Sequence, residues 1–226
     1  MKSKAKANAT LIPHKLNFIN AERQLDEFKN WLVAHNEFDE RSVVNELKSR
    51  TDLCLLIQLA AGKGHPDCYK HQFTLQGIFR ADLVIGATKE RHFVLVEFEA
   101  GEKSSIFNQK KGTAQIRDWG APLQHAFSQV SDWSWAKNDS QKSIIFQNAF
   151  GMPLTSETYL IVCGRSEFLN EVDKSRLHWR SEKTTIAASP IRFWTYDDLY
   201  QNCSDSMSAY RVVRDEARAA TAAPPS

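Results

Sequence analysis

The sequence predicts an α/β domain in which a mixed central sheet is flanked by helices. Three observations carry this. The pattern elements run helices, strand, strand, helix, strand, helix, strand. Residues 76–102 alternate with period 2 over two runs, as strands of one sheet do. A chain of 226 residues with 42% hydrophobic content is long enough for one domain with a substantial core.

The elements follow in order. Residues 1–14 are basic and lack an apolar run, so they read as a loose arm rather than a signal peptide. A single domain is expected over 15–212, with a helical layer over 20–61 and a core over 72–200. Leu25, Phe28, Trp31 and Leu32 recur at helical spacing and predict a first helix over 20–35. Asp39 caps a second, which carries Val43, Val44, Leu47, Leu53, Leu55, Leu56 and Leu59 as far as Gly62. The segment GKGHPDCYKH reads as a loop. Its His65, Asp67, Cys68 and His71 lack zinc-site spacing, and GxxxxGK[ST] is absent, so neither a zinc site nor a phosphate loop is assigned.

Two strands follow, joined by a short polar turn. On the second, Glu97 and Glu99 share one face while Val94, Val96 and Phe98 take the other. Pro122 opens a helix with the stripe Leu123, Ala126, Phe127, Val130 and Trp133, and Gln129 lies beside that stripe. A short helix is expected near 142–150 and a buried strand over 157–165. Next come a helix over 166–182 with Ser166 as cap, a strand over 190–196, and a short closing helix. The alanine-rich end, 213–226, reads as a disordered tail.

Acids are depleted in strands and are buried only when paired. Asp82, Glu97 and Glu99 therefore stand out, because neighbouring strands would bring three carboxylates together. Such groups repel unless a cation lies between them, and a hard divalent ion suits oxygen ligands. The alternative is a solvated acidic sheet face, or pairing with Arg80, Lys89 or Arg91. Lys103, Lys110, Lys111 and Arg117 follow in a polar loop that fits a phosphodiester backbone crossing the acids. The net charge of +2 neither requires nor excludes nucleic acid. Four scattered cysteines without a CxxC pair imply reduced thiols and a cytoplasmic setting, and no run is long enough to span a membrane.

The spacing D-x(14)-E-x-E at Asp82, Glu97 and Glu99 resembles the PD-(D/E)XK nuclease motif. More specifically, FRADLVIG, FVLVEFE, AFSQVSDW and FWTYDDL, in that order over about 73–200, resemble the Shedu anti-phage nuclease family. The resemblance implies a restriction-endonuclease-like fold and metal-dependent DNA cleavage in bacterial defence. Asp82 and Glu97 would hold Mg²⁺ or Mn²⁺, with the Phe98 carbonyl as a further ligand, and Gln129 would border the site. Glu99 stands where that motif usually has Lys, so it would hold a second ion or orient the attacking water. The expected partners are DNA and further copies of the chain, with no membrane. The alternatives are a nuclease-like module that binds DNA or a protein without cutting, and a structural subunit whose acids are inert.

Overall fold

The computed structural model describes residues 10–109, 112, 116–152 and 155–222, with side chains as far as 213. A seven-stranded mixed sheet runs through it in the order β1-β2-β3-β4-β5-β7-β6. The strands are β1 (Ile12–Pro13), β2 (Cys68–Leu75), β3 (Phe79–Ala87), β4 (His92–Phe98), β5 (Ser156–Val162), β6 (Thr185–Ile186) and β7 (Ser189–Trp194). β1 to β4 are mutually antiparallel, and β4, β5 and β7 are parallel. The parallel steps need crossovers, which helices supply.

One face carries α1 (Phe18–Ala34), α2 (Glu40–Lys48), α3 (Thr51–Ala61) and α7 (Tyr196–Ala222). Leu83, Ile85, Val94, Val96 and Phe98 join the core on that side. The other face carries α4 (Ala121–Ser140), α5 (Ile144–Phe150) and α6 (Glu171–Lys183), packed on Val84, Phe93, Leu95, Tyr159 and Ile161. The result is the expected α/β class, with helices on both faces of a mixed sheet.

Several boundaries differ from expectation. CYKHQFTL is not a loop running into the core but the strand β2, paired with β3 along its length. The second helix is two helices, because Arg50 adopts a non-helical backbone (φ −119°, ψ 63°) between α2 and α3. Ser166 opens a single short turn, and the cap of α6 is Asn170, whose side chain accepts from Asp173 N. The closing helix is long rather than short and runs on to Ala222.

The alternation of β3 slips at Asp82. Leu83 and Ile85 face the α1–α3 side, yet Ala81 and Val84 both face the α4 side. Opposite Asp82 on β2 stands Gln72, whose φ of 51° breaks that strand's pleat as well. The β2–β3 register skips this one pair, joining His71 to Leu83 and Phe73 to Ala81.

The outermost strands are short. β1 and β6 have two residues each, and β1 ends on Pro13. Beyond β6, the outward N–H groups of β7 are taken by its own surroundings. Ile191 N donates to Thr184 O at 3.0 Å, and Phe193 N donates to Ser181 Oγ at 3.0 Å. Just past the strand, Thr195 N donates to Asp198 Oδ2 at 2.9 Å.

Candidate active site

The acids gather where β3 and β4 part. Their ladder ends at Leu83 opposite Val96. One further step would place Asp82 opposite Glu97. The Asp82 side chain takes over there, its Oδ2 accepting from Phe98 N at 3.1 Å. The slipped pleat thus turns a strand carboxylate into a bond across the fork. β4 keeps its alternation, so Glu97 follows Phe93 and Leu95 onto the α4 side. Glu99 lies just past the strand. Its backbone is held on both sides: its N–H donates to Val162 O at 2.9 Å, and its carbonyl accepts from the buried Tyr196 hydroxyl at 2.5 Å.

Helix α4 brings the other partners. Its entry is fixed by Gly120, where a Cβ would meet the Ser104 and Ser105 carbonyl oxygens at 2.5 Å. Gly120 N donates to Ile106 O at 2.7 Å, and Pro122 in the first turn suits a helix start. One turn in, His125 Nδ1 lies 3.2 Å from Glu99 Oε1. A further turn on, Gln129 Nε2 donates to Glu97 Oε1 at 2.6 Å and lies 3.2 Å from His125 Nδ1. His125 and Gln129 are spaced i, i+4 and share a face of the helix. His125 was not singled out by the sequence analysis, and that spacing is the one signal that pointed to it.

The electrostatics are adverse for three charged acids. Burial, with the charges of Asp82, Glu99 and Glu40 added, pushes Glu97 up to about 9, against a lowering by the Gln129 bond. Burial pushes Asp82 up to about 6, with Glu40 adding to it and the Phe98 N–H opposing it. Burial also raises Glu99, and the His125 hydrogen bond opposes that. Glu40, the first residue of α2, acts on all three, so the helical layer borders the site. Glu97 is only 6% exposed, and its Oε2 is buried with no hydrogen-bond partner. An unpaired buried carboxyl oxygen is costly, and a divalent cation would satisfy it. Among the described residues no three His, Cys, Asp or Glu side chains close on one point as a ready cage. Each acid is turned instead toward its own protein donor. The unpartnered Glu97 oxygen suits a cation, with the Asp82 carboxylate across the fork from it.

The remaining sequence candidates fall outside this cluster. Lys103 is exposed in the turn that follows β4 and makes no ion pair among the described residues. Lys110 and Lys111 lie outside the described residues. Arg117 is committed elsewhere: it reaches the buried Asp173 at 2.5 Å and donates to Phe168 O at 2.9 Å. In the 62–71 segment, Asp67 accepts from Thr88 N at 3.2 Å and Cys68 is buried in β2.

A family model described as "Shedu protein SduA, C-terminal" matches residues 21–200. The chain belongs to the Shedu family. The matched stretch reaches from α1 to the start of α7 and includes Asp82, Glu97, Glu99, His125 and Gln129. Membership in the Shedu family places the chain among anti-phage defence proteins. A search of curated proteins gave no match. No helix among the described residues of this Shedu chain is long and apolar enough to cross a membrane.

Proposed function

We propose that the chain is a metal-dependent DNA endonuclease that hydrolyses phosphodiester bonds. The observation that supports this best is Glu97, a buried carboxyl with one unpartnered oxygen, set across the β3–β4 fork from Asp82. Asp82, Glu97 and the Phe98 carbonyl are the groups that would hold Mg²⁺ or Mn²⁺. Such an ion supplies charge neutralisation, polarisation of the phosphodiester and a more acidic water. The chain's own groups do the rest. Gln129 fixes the rotamer of Glu97 through its amide. Glu99, held by His125 at 3.2 Å, orients a water and accepts its proton, in place of the lysine usual at that position. Lys103 offsets phosphate charge at the mouth of the site.

A second reading has its own support. The lysine is missing, and the three acids each turn to a protein donor instead of a shared point. These fit a module that binds DNA or a protein partner without cutting it.

Titrating Mg²⁺ or Mn²⁺ against plasmid and linear DNA, with an EDTA arm, decides between them. Cutting by the wild type is expected, with Asp82→Ala and Glu97→Ala slower by on the order of 10³-fold. DNA binding without cutting at any metal concentration selects the second reading. Near wild-type cutting by either variant refutes the site.

A further inference from the structure

On the far side of α4 from the acids, arginines from α6 lie against a layer of aromatic rings. Arg176 stands 4.7 Å from the Phe107 centroid and 5.0 Å from Trp119. Arg180, one turn on, stands 4.6 Å from Trp119, 5.0 Å from Phe127 and 4.8 Å from Phe193.

The two differ in what their nitrogens do. Arg176 donates to Arg117 O at 2.7 Å and lies 3.8 Å from Asp173. The Arg180 guanidinium has no hydrogen bond and no carboxylate partner among the described residues, and none of its nitrogens is sealed from water. It is nevertheless half-buried, and burial lowers its pKa. A guanidinium stripped of part of its hydration and given only ring faces has its planar N–H edge free. That edge matches two oxygens of a phosphate. The neighbourhood is cationic as well: Lys183 is on the same helix, and Arg176 is one turn before. The acids on its own helix are each paired elsewhere: Glu171 with Lys174 at 2.8 Å, Asp173 with Arg117 at 2.5 Å and Glu182 with Arg192 at 3.2 Å.

We propose that Arg180, backed by Trp119, Phe127 and Phe193, is a phosphate-binding fork. Phe127 lies on α4 two residues from both His125 and Gln129, and residues so spaced face apart. The fork is therefore about one helix width, roughly 10–12 Å, from the acids. At about 3.4 Å of rise per nucleotide, that is some three nucleotides along one strand. The phosphate then belongs to the backbone of DNA held in the site. The rings need no base identity, so the contact carries no sequence preference. The link to DNA rests on the proposed function; the fork itself does not.

The test measures binding with Ca²⁺ in place of Mg²⁺, so that loss of cutting cannot imitate loss of the fork. Affinity of the full chain for a short duplex is followed across a salt series, for wild type and Arg180→Met. A second arm titrates inorganic phosphate and pyrophosphate by calorimetry. Roughly tenfold weaker duplex binding in Arg180→Met, with a log–log salt slope smaller by about one, establishes the fork on a nucleic-acid phosphate. Unchanged duplex binding with loss of phosphate or pyrophosphate binding establishes it on a free phosphate. Melting curves accompany both arms. Should Arg180→Met fail to fold, Arg180→Lys keeps the stem and the charge but removes the planar edge, and the same weakening is expected. Equal affinity and slope in wild type and variant, in both arms, overturns the proposal, as does a wild type that binds neither probe.

Discussion

Two glutamates on neighbouring strands lie under the same helix and are treated in opposite ways. Glu157 on β5 and Glu97 on β4 are 4% and 6% exposed. Both meet a side chain of α4. Glu157 meets the Lys137 ammonium, and it also accepts from Ser189 at 2.7 Å and Tyr159 at 3.3 Å. Glu97 meets only the Gln129 amide and keeps one oxygen without a partner. The first acid is complete within the protein. The second is repelled by Asp82 and Glu99 and pushed up to about 9. The difference separates a carboxylate that holds α4 to the sheet from one that the protein itself leaves with an unpaired oxygen.

Removing the cation from the complete site should have the largest effect. Lys137→Met leaves Glu157 buried without its counter-charge. A loss of about 3–5 kcal/mol in urea unfolding is expected. A loss under about 1 kcal/mol would mean that the pair is not what closes this region.

Supplying a cation to the incomplete site comes next. Thermal melts of DNA-free protein with rising Mg²⁺ should gain about 2–3 kcal/mol once the ion reaches a hundred times its dissociation constant. Glu97→Gln should show no such gain.

The third effect is on pH dependence in EDTA. Glu97 titrates higher folded than unfolded, so the folded state binds the extra proton between its ordinary value of 4.5 and about 9. Its contribution to stability is fully present below about 4.5 and is lost as pH rises through about 9. Glu97→Gln should flatten that decline and be about 1–3 kcal/mol more stable than wild type at pH 9. Parallel stability–pH curves would place the proton elsewhere.

Smallest is Gln129→Ala. It deletes one half-exposed amide, so stability should change by about 0.5–1.5 kcal/mol while cutting falls roughly tenfold. Cutting that is unaffected would mean Glu97 holds its rotamer without Gln129.

The sequence carried this contrast unevenly. Glu97 was legible because an acid closing an apolar strand breaks the composition of strands. Glu157 was passed over, because ETYLIVCGR reads as an ordinary buried strand and Lys137 comes from twenty residues away. The strand β2 was hidden by its own chemistry. Tyr69, Lys70 and His71 are all half-buried, and the slip at Gln72 interrupts the alternation that would have marked a strand. The break between α2 and α3 was invisible for another reason. Leu47 and Leu53 are both in the core on either side of it, so the apolar pattern runs through. At the break Arg50 donates to Glu46 O at 2.8 Å and pairs with the Glu46 carboxylate at 2.6 Å, while Glu27 of α1 lies 3.9 Å away. His125 offered no signal beyond its i, i+4 spacing from Gln129 and became visible through what it touches.

The blunted margins of the sheet bear on how copies of this chain can meet. An open strand edge is a template for adding another strand and so for runaway polymerisation. Here one margin ends in a dipeptide closed by Pro13. At the other, the backbone donors of Ile191, Phe193 and Thr195 are occupied from within. Adding a strand at the β7 margin would have to displace these internal bonds, whereas β1 pairs only with Cys68 and Tyr69 and, among the described residues, leaves the rest of β2 without an outer partner strand.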